Sequence, residues 1–76
     1  MMLNKYIDKA SRIDVSATVS NNSVVGGDVI IGKNCHIKES VIGPACRIGD
    51  NVKIVNCIID SGVSIENGCE LTNCII

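Results

Sequence analysis

One glycine-lysine motif, one histidine and five cysteines are the residues that could carry chemistry in this 76-residue chain. Residues 27–33 read GDVIIGK and imitate the GxxxxGK loop that holds nucleotide phosphates. In that loop a Ser or Thr follows the lysine and binds magnesium, and a helix comes next. Here Asn34 follows, and Val29 and Ile31 belong to a regular spacing of aliphatic residues that runs on through the motif. We therefore predict no nucleotide site in this segment.

The other reactive side chains form no catalytic or metal-binding pattern. A histidine can act as the general base of acyl transfer, but His36 stands directly before an aliphatic position and is predicted to face solvent. The cysteines form no CxxC pair and have no histidine cluster near them, which disfavours zinc. We predict no catalytic residue, no cofactor and no metal site, and hence no enzyme activity in this chain by itself.

Composition disfavours several classes of partner. A formal net charge of -1 leaves no basic surface for a phosphate backbone, and one aromatic residue, Tyr6, cannot build a base-stacking platform. We therefore predict no nucleic-acid partner. The apolar runs fall far short of the ~20 residues of a membrane span, so no membrane association is predicted. Hydrophobic residues make up 46% of the chain and are mostly Ile and Val, which favours strands.

Aliphatic residues, here called anchors, recur every six positions from Ile13 to Ile37 and then at steps of five, six and six, so that from Val25 onward the period is 17 residues. A helix would place them three and four apart, and a hairpin would need two-residue turns between longer alternating runs. Steps of six fit a short strand and a sharp corner, with strands one period apart stacked in parallel. The pattern predicts an all-β, three-sided parallel solenoid of about four coils. The anchors are Ile13, Val19, Val25, Ile31, Ile37, Ile42, Ile48, Ile54, Ile59, Ile65, Leu71 and Ile76.

Two further patterns agree with a triangular coil. The residue two positions before each anchor is small or β-branched, as expected for an inward-facing slot in a narrow interior. Corners need residues that tolerate positive φ, and Asn, Asp or Gly stands three positions after most of the anchors that are followed by a step of six. Ala45 departs from that rule and follows the only proline, so we expect a different geometry at its corner.

All five cysteines occupy the inward slot, which predicts that they pack as small hydrophobic residues. An odd number of reduced cysteines is typical of a cytosolic protein, and we predict a cytosolic, cytoplasmic location. Cys57 and Cys74 are one coil apart, so the geometry permits a disulfide between them. Packing in the core is the interpretation that we favour.

Domain organisation follows from the repeat. Residues 1–12 are interpreted as an N-terminal lead-in, and residues 13–76 as the hexapeptide-repeat solenoid. Ile76 is itself an anchor with no polar cap behind it, whereas solenoids normally cover their open ends. We expect a truncated domain or one that needs a partner.

The outward residues just before the anchors distinguish one side of the solenoid from the other two. Two sides carry mixed residues there, whereas the third carries four β-branched apolar residues 17 positions apart. An aligned apolar row marks an interaction surface, although β-branched residues also simply favour strands. We predict that this row docks against a partner subunit or a companion domain. Its residues are Val24, Val41, Ile58 and Ile75.

The hexads resemble those of the left-handed parallel β-helix family, in which Gly, Ala, Glu or Asp follows the aliphatic residue and a small residue comes after two free positions. Residues 37–76 contain the phrases SVIG, IGDNVKI and NCII and are similar to the C-terminal β-helix of nucleotidyltransferase-like proteins. Among these, the resemblance is strongest to the gamma-subunit family of eukaryotic translation initiation factor two B. The epsilon subunit and the sugar-nucleotide pyrophosphorylases are near neighbours. The left hand of the helix is implied by this resemblance alone.

The resemblance implies an assembly and regulatory role in the guanine-nucleotide exchange factor that promotes GDP release from initiation factor two. The β-helix would join this chain to other subunits of that complex, above all to an epsilon-like subunit, without catalysing exchange. A different class stays open: the C-terminal β-helix of a mannose- or glucose-phosphate nucleotidyltransferase, or part of a hexapeptide acyltransferase. The sequence has no counterpart of the nucleotidyltransferase-like domain, so no sugar-nucleotide pocket carries over to any residue here.

Overall fold

The computed structural model describes residues 5–76 and builds them from twelve short strands, with no helix in that range. Each strand is only two or three residues long, because a corner interrupts the chain after every anchor. The strands are β1 (Lys5–Ile7), β2 (Arg12–Ile13), β3 (Thr18–Val19), β4 (Ser23–Val25), β5 (Ile30–Ile31), β6 (His36–Lys38), β7 (Val41–Ile42), β8 (Arg47–Ile48), β9 (Lys53–Val55), β10 (Ile58–Ile59), β11 (Ser64–Ile65) and β12 (Glu70–Thr72).

The strands form three parallel four-stranded sheets, and every third strand along the chain belongs to the same sheet. The first face holds β1, β4, β7 and β10, the second face β2, β5, β8 and β11, and the third face β3, β6, β9 and β12. Each strand therefore pairs with its counterpart one coil away, and the chain winds as a three-sided solenoid of about four coils. The all-β solenoid predicted from the aliphatic spacing is confirmed.

The register between coils reproduces the spacing of the anchors. Ile42 pairs with Val25 on one side and with Ile59 on the other, 17 residues away in each direction. The first coil is one residue longer, since Ile7 pairs with Val25. β1 therefore lies within residues 1–12, where the sequence pattern predicts only a lead-in. The extra residue places this strand outside the 17-residue period.

Side chains from all three faces fill the interior of the solenoid. Large anchors alternate with small residues, so each side of a coil contributes one of each to the core. The inward slots predicted for Cys35, Cys46 and Cys57 are confirmed, because these side chains are at most 1% exposed. All five cysteines are free thiols, so no disulfide joins Cys57 to Cys74. The largest fully buried side chains are Ile31, Ile37, Ile42, Ile54 and Ile59.

The corners use positive φ, as the residue types predict, but Ala45 also adopts this conformation. Its φ is 62°, so the expectation of a different geometry at that corner is wrong. The reason is a backbone bond between coils: the Ala45 N–H donates to the Gly27 carbonyl at 2.9 Å, and Gly62 makes the equivalent bond to Pro44 one coil later. The other non-glycine residues with positive φ are Asn22, Asp28, Asn34, Glu39, Asn51, Asn56 and Asn73.

Candidate protein-interaction face

The first face presents a continuous row of apolar side chains to solvent. Val24, Val41 and Ile58 lie side by side in the parallel sheet, and an isolated bridge joins Ile75 to Ile58. Their exposed fractions are 41%, 42%, 51% and 81% from Val24 to Ile75. The structure thus brings together all four residues of the predicted row. That they bind a partner stays a prediction.

Tyr6 extends this row by one coil. It pairs with Val24, is 58% exposed, and its hydroxyl donates to the Asp8 carboxylate at 3.4 Å. Sequence reasoning missed Tyr6 because it stands 18 rather than 17 positions before Val24. Ile13 and Ile31 are also 18 positions apart, and this spacing could have identified Tyr6 as a member of the row. The five residues, called the apolar row below, span about 19 Å at the ~4.8 Å spacing of neighbouring strands.

The apolar row faces outward because a buried anchor follows each of its central members. Val25, Ile42 and Ile59 are each no more than 1% exposed. Successive side chains of a strand point to opposite faces, so the residue before each anchor must lie on the solvent side. Packing of the anchors in the core therefore orients these apolar side chains toward solvent.

A column of small polar side chains closes the corner that leads into the first face. Ser40 is 1% exposed, and its Oγ accepts the Cys57 N–H at 3.0 Å and donates to the Lys38 carbonyl at 2.8 Å. Cys57 repeats the arrangement one coil later, since its Sγ accepts the Cys74 N–H at 3.4 Å and donates to the Val55 carbonyl at 3.2 Å. The same corner geometry in successive coils keeps the outward residues in one line.

A polar ladder borders the apolar row on the side of that corner. Glu39, Asn56 and Asn73 occupy equivalent positions with positive φ, and the Asn56 Nδ2 donates to the Asn73 Oδ1 at 2.6 Å. Together with the last three residues of the apolar row, they line a shallow groove of about 420 Å³. A partner segment in this groove would contact apolar side chains on one side and amide or carboxylate groups on the other.

The other two faces carry mixed outward residues. On the third face His36 pairs with Thr18 and Lys53, and Lys53 pairs in turn with Glu70. His36 is exposed, in agreement with the sequence prediction. Arginines alternate with an apolar residue on the second face, so neither face presents a uniform apolar row. The outward residues of the second face are Arg12, Ile30, Arg47 and Ser64.

The titratable side chains between residues 5 and 76 include no group of three or more that could hold a metal ion. In the same range, no helix has the length and apolar character needed to cross a bilayer.

The pKa of the Asp14 carboxyl group is lowered, because the Ser16 hydroxyl and the Ser16 N–H donate hydrogen bonds to it at 2.6 and 3.0 Å. This carboxylate lies at the corner after β2 and stabilises that turn, not the first face.

Comparison with known families adds one match. The family model described as the EIF2B subunit epsilon LbH domain matches residues 3–76 and so includes every strand of the solenoid. No curated protein sequence matches the chain. The resemblance to the gamma subunit and to the nucleotidyltransferases stays a prediction, since the matched family is described by the epsilon subunit.

Proposed function

Because the chain belongs to the family of the EIF2B subunit epsilon LbH domain, a left-handed β-helix of a multi-subunit translation-initiation factor, we propose that it is an assembly module of that exchange factor. The observation that carries the proposal is the apolar row, whose members are 41–81% exposed on one side of the solenoid. A solenoid face that is apolar in every coil is suited to bind a protein surface. The chain would act by joining subunits and not by catalysis.

The energetics of the apolar row indicate what such a contact needs. Burying the exposed part of each side chain contributes about 1 kcal/mol, or about 5 kcal/mol for the row. A micromolar complex requires about 8 kcal/mol. The polar ladder of Glu39, Asn56 and Asn73 beside the row would therefore have to contribute hydrogen bonds to the same contact. We place the docking surface on the first face and on this bordering groove.

We further propose that the partner is another subunit of the exchange factor in the cytosol. A gamma-like chain would bind the epsilon subunit, as the sequence resemblance implies, whereas an epsilon-like chain would bind the gamma subunit. The two cases differ in which subunit the isolated solenoid captures. The chain itself would need no cofactor, because its role is to supply a surface.

The test is a capture experiment with matched lysine variants. Tagged wild-type chain and the double variant Val41→Lys and Ile58→Lys would each be mixed with purified gamma and epsilon subunits of the exchange factor. Ile30→Lys on the second face is the control, because Ile30 is 40% exposed and Val41 is 42% exposed. We expect the double variant to lose at least tenfold in affinity, corresponding to about 1.4 kcal/mol, while Ile30→Lys binds like the wild type.

Circular dichroism of all three proteins should be the same, because the substituted side chains point away from the core. Unchanged capture by the double variant would contradict the proposed docking face. Capture of neither subunit by the wild type would contradict the exchange-factor role. Co-purification with sugar-nucleotide transferase activity from cell lysate would instead favour the nucleotidyltransferase alternative.

A further inference from the structure

The corner after β11, in the last coil, contains a chemically reactive dipeptide. Asn67 is followed by Gly68, and none of the other seven asparagines in the sequence precedes a glycine. An asparagine loses its side-chain amide when the backbone nitrogen of the next residue attacks its Cγ, and glycine leaves that nitrogen unhindered. Asn67 is exposed, and a Cβ added at Gly68 would meet no atom within 4 Å. Neighbouring side chains therefore do not shield the dipeptide.

Two hydrogen bonds to the coil below restrain the reacting groups. The Asn67 Oδ1 accepts the Asp50 N–H at 2.7 Å, which orients the side-chain amide. The Gly68 N–H donates to the Asp50 carbonyl at 2.9 Å, so the attacking nitrogen is also engaged. The amide must rotate, and the nitrogen must be released, before the two can bond. The restraint on the reaction is thus local to this corner.

We propose that Asn67 is a deamidation site whose reaction is gated by opening of its own corner. In the open corner the Gly68 nitrogen gives its proton to solvent and bonds to the Asn67 Cγ, and the side-chain nitrogen leaves as ammonia. The product is a cyclic imide. Water then adds to one of the two imide carbonyls, and the ring opens to aspartate or isoaspartate. Water is the only co-reactant, and no electron transfer is involved.

The two products differ in how they fit the closed corner. Aspartate keeps an acceptor oxygen, and Asp50 shows one coil earlier that a carboxylate can fill this place, since its Oδ1 accepts the Lys33 N–H at 2.9 Å. Isoaspartate instead lengthens the backbone by one methylene, which displaces the Gly68 N–H from the Asp50 carbonyl. Formation of isoaspartate therefore prevents the corner from closing again and loosens the last coil from the one below. The site would convert a transient opening into a permanent change.

Two glycines provide the variant and its matched control. A Cβ at Gly49 would collide with the Asn67 Oδ1 and lie 2.8 Å from the Asn67 backbone nitrogen, so Gly49→Ala displaces the restraining amide. Gly43 lies at a different corner, where an added Cβ would stand 2.8 Å from the Ser61 backbone nitrogen and its nearest atoms belong to residues 59–61. Gly43→Ala therefore disturbs the packing of the last coil away from both Asn67 and Asp50. A difference between the two variants isolates the local gate from general loss of stability.

The experiment compares the 76-residue wild type, both variants and a synthetic peptide of residues 64–72 during incubation at neutral pH. Peptide mapping by mass spectrometry follows conversion of each asparagine, and isoaspartate is assayed enzymatically. We expect Asn67 to be the main site and to react about 30-fold more slowly in the wild type than in the peptide. This factor corresponds to about 2 kcal/mol, the worth of two hydrogen bonds. Gly49→Ala should lose most of this protection, and Gly43→Ala should keep it.

Three results would overturn the proposal. Equal rates in the wild type and the peptide would show that the corner does not gate the reaction. Equal acceleration in both glycine variants would attribute the reaction to global unfolding. If another asparagine reacted first, Asn67 would not be the site. The same holds if Asn67 stayed intact in the wild type at the incubation time at which 30-fold protection predicts that half of it has reacted.

Discussion

Replacing Ser40 with alanine should destabilise the solenoid through a single unsatisfied backbone group. Ser40 is 1% exposed, and its Oγ accepts the Cys57 N–H at 3.0 Å. The substitution removes this acceptor and leaves a buried donor unpaired, which costs about 1–3 kcal/mol. We therefore expect a loss of about 2 kcal/mol in the free energy of unfolding, measured by urea denaturation with circular dichroism. In a domain of this size, the same loss lowers Tm by about 8–16 °C.

Two control variants separate this hydrogen bond from other effects of the substitution. Ser40→Cys should recover part of the loss, because Cys57 uses its Sγ as an acceptor at the same place one coil later. Ser61→Ala, at an exposed corner, should change stability by less than about 0.5 kcal/mol. If Ser40→Ala and Ser61→Ala unfolded at the same urea concentration, the side-chain column would not hold the corner and the reasoning would be wrong.

Three further predictions test the core, a corner and a carboxylate. Ile42→Ala should lower the free energy of unfolding in urea by about 2–5 kcal/mol, whereas Val41→Ala beside it, on the solvent side, should cost less than about 1 kcal/mol; equal losses would contradict the assigned faces. Ala45→Gly should raise the free energy of unfolding by about 1 kcal/mol and so raise Tm in a thermal melt, because glycine adopts a φ of 62° without steric cost. A lower Tm would contradict this prediction. The lowered pKa of Asp14 means that its stabilisation is present above the unfolded pKa and is lost as pH falls through the folded one. The Tm difference between wild type and Asp14→Ala should therefore be constant near neutral pH and shrink below about pH 4; a difference that grew in acid would contradict the sign.

The fold was predictable from the sequence because its interior repeats. Val25, Ile42 and Ile59 stand at equal intervals, and only stacked coils place residues at such intervals in one buried column. The inward cysteines followed from the same rule, since a strand position two before an anchor faces the same way as the anchor. Anchor spacing thus predicted the sheets, their register over three coils and the outward position of Val41 and Ile58.

Three features were not predicted from the anchor spacing. Asn56 and Asn73 take positive φ two positions after an anchor, not three, since the step into the first face is only five residues long. Ala45 adopts the corner conformation because a bond to the neighbouring coil requires it, although its side chain disfavours it. Tyr6 is a different case, since the step of 18 from Ile13 to Ile31 shows the extra residue of the first coil and could have located it. The conformation of Ala45 depends on a neighbouring coil, which a local pattern does not report.

Strand propensity alone does not explain the apolar row. All three faces are built from strands of two or three residues in which the anchor is mostly buried, so the outward positions of each face are under the same local constraint. Yet those positions hold Arg12 and Arg47 on the second face and His36 and Lys53 on the third. The second face also shows that a charged residue is tolerated beside Ile30 in the same sheet. We therefore propose that the face that is apolar at every coil is the one that docks against a protein partner.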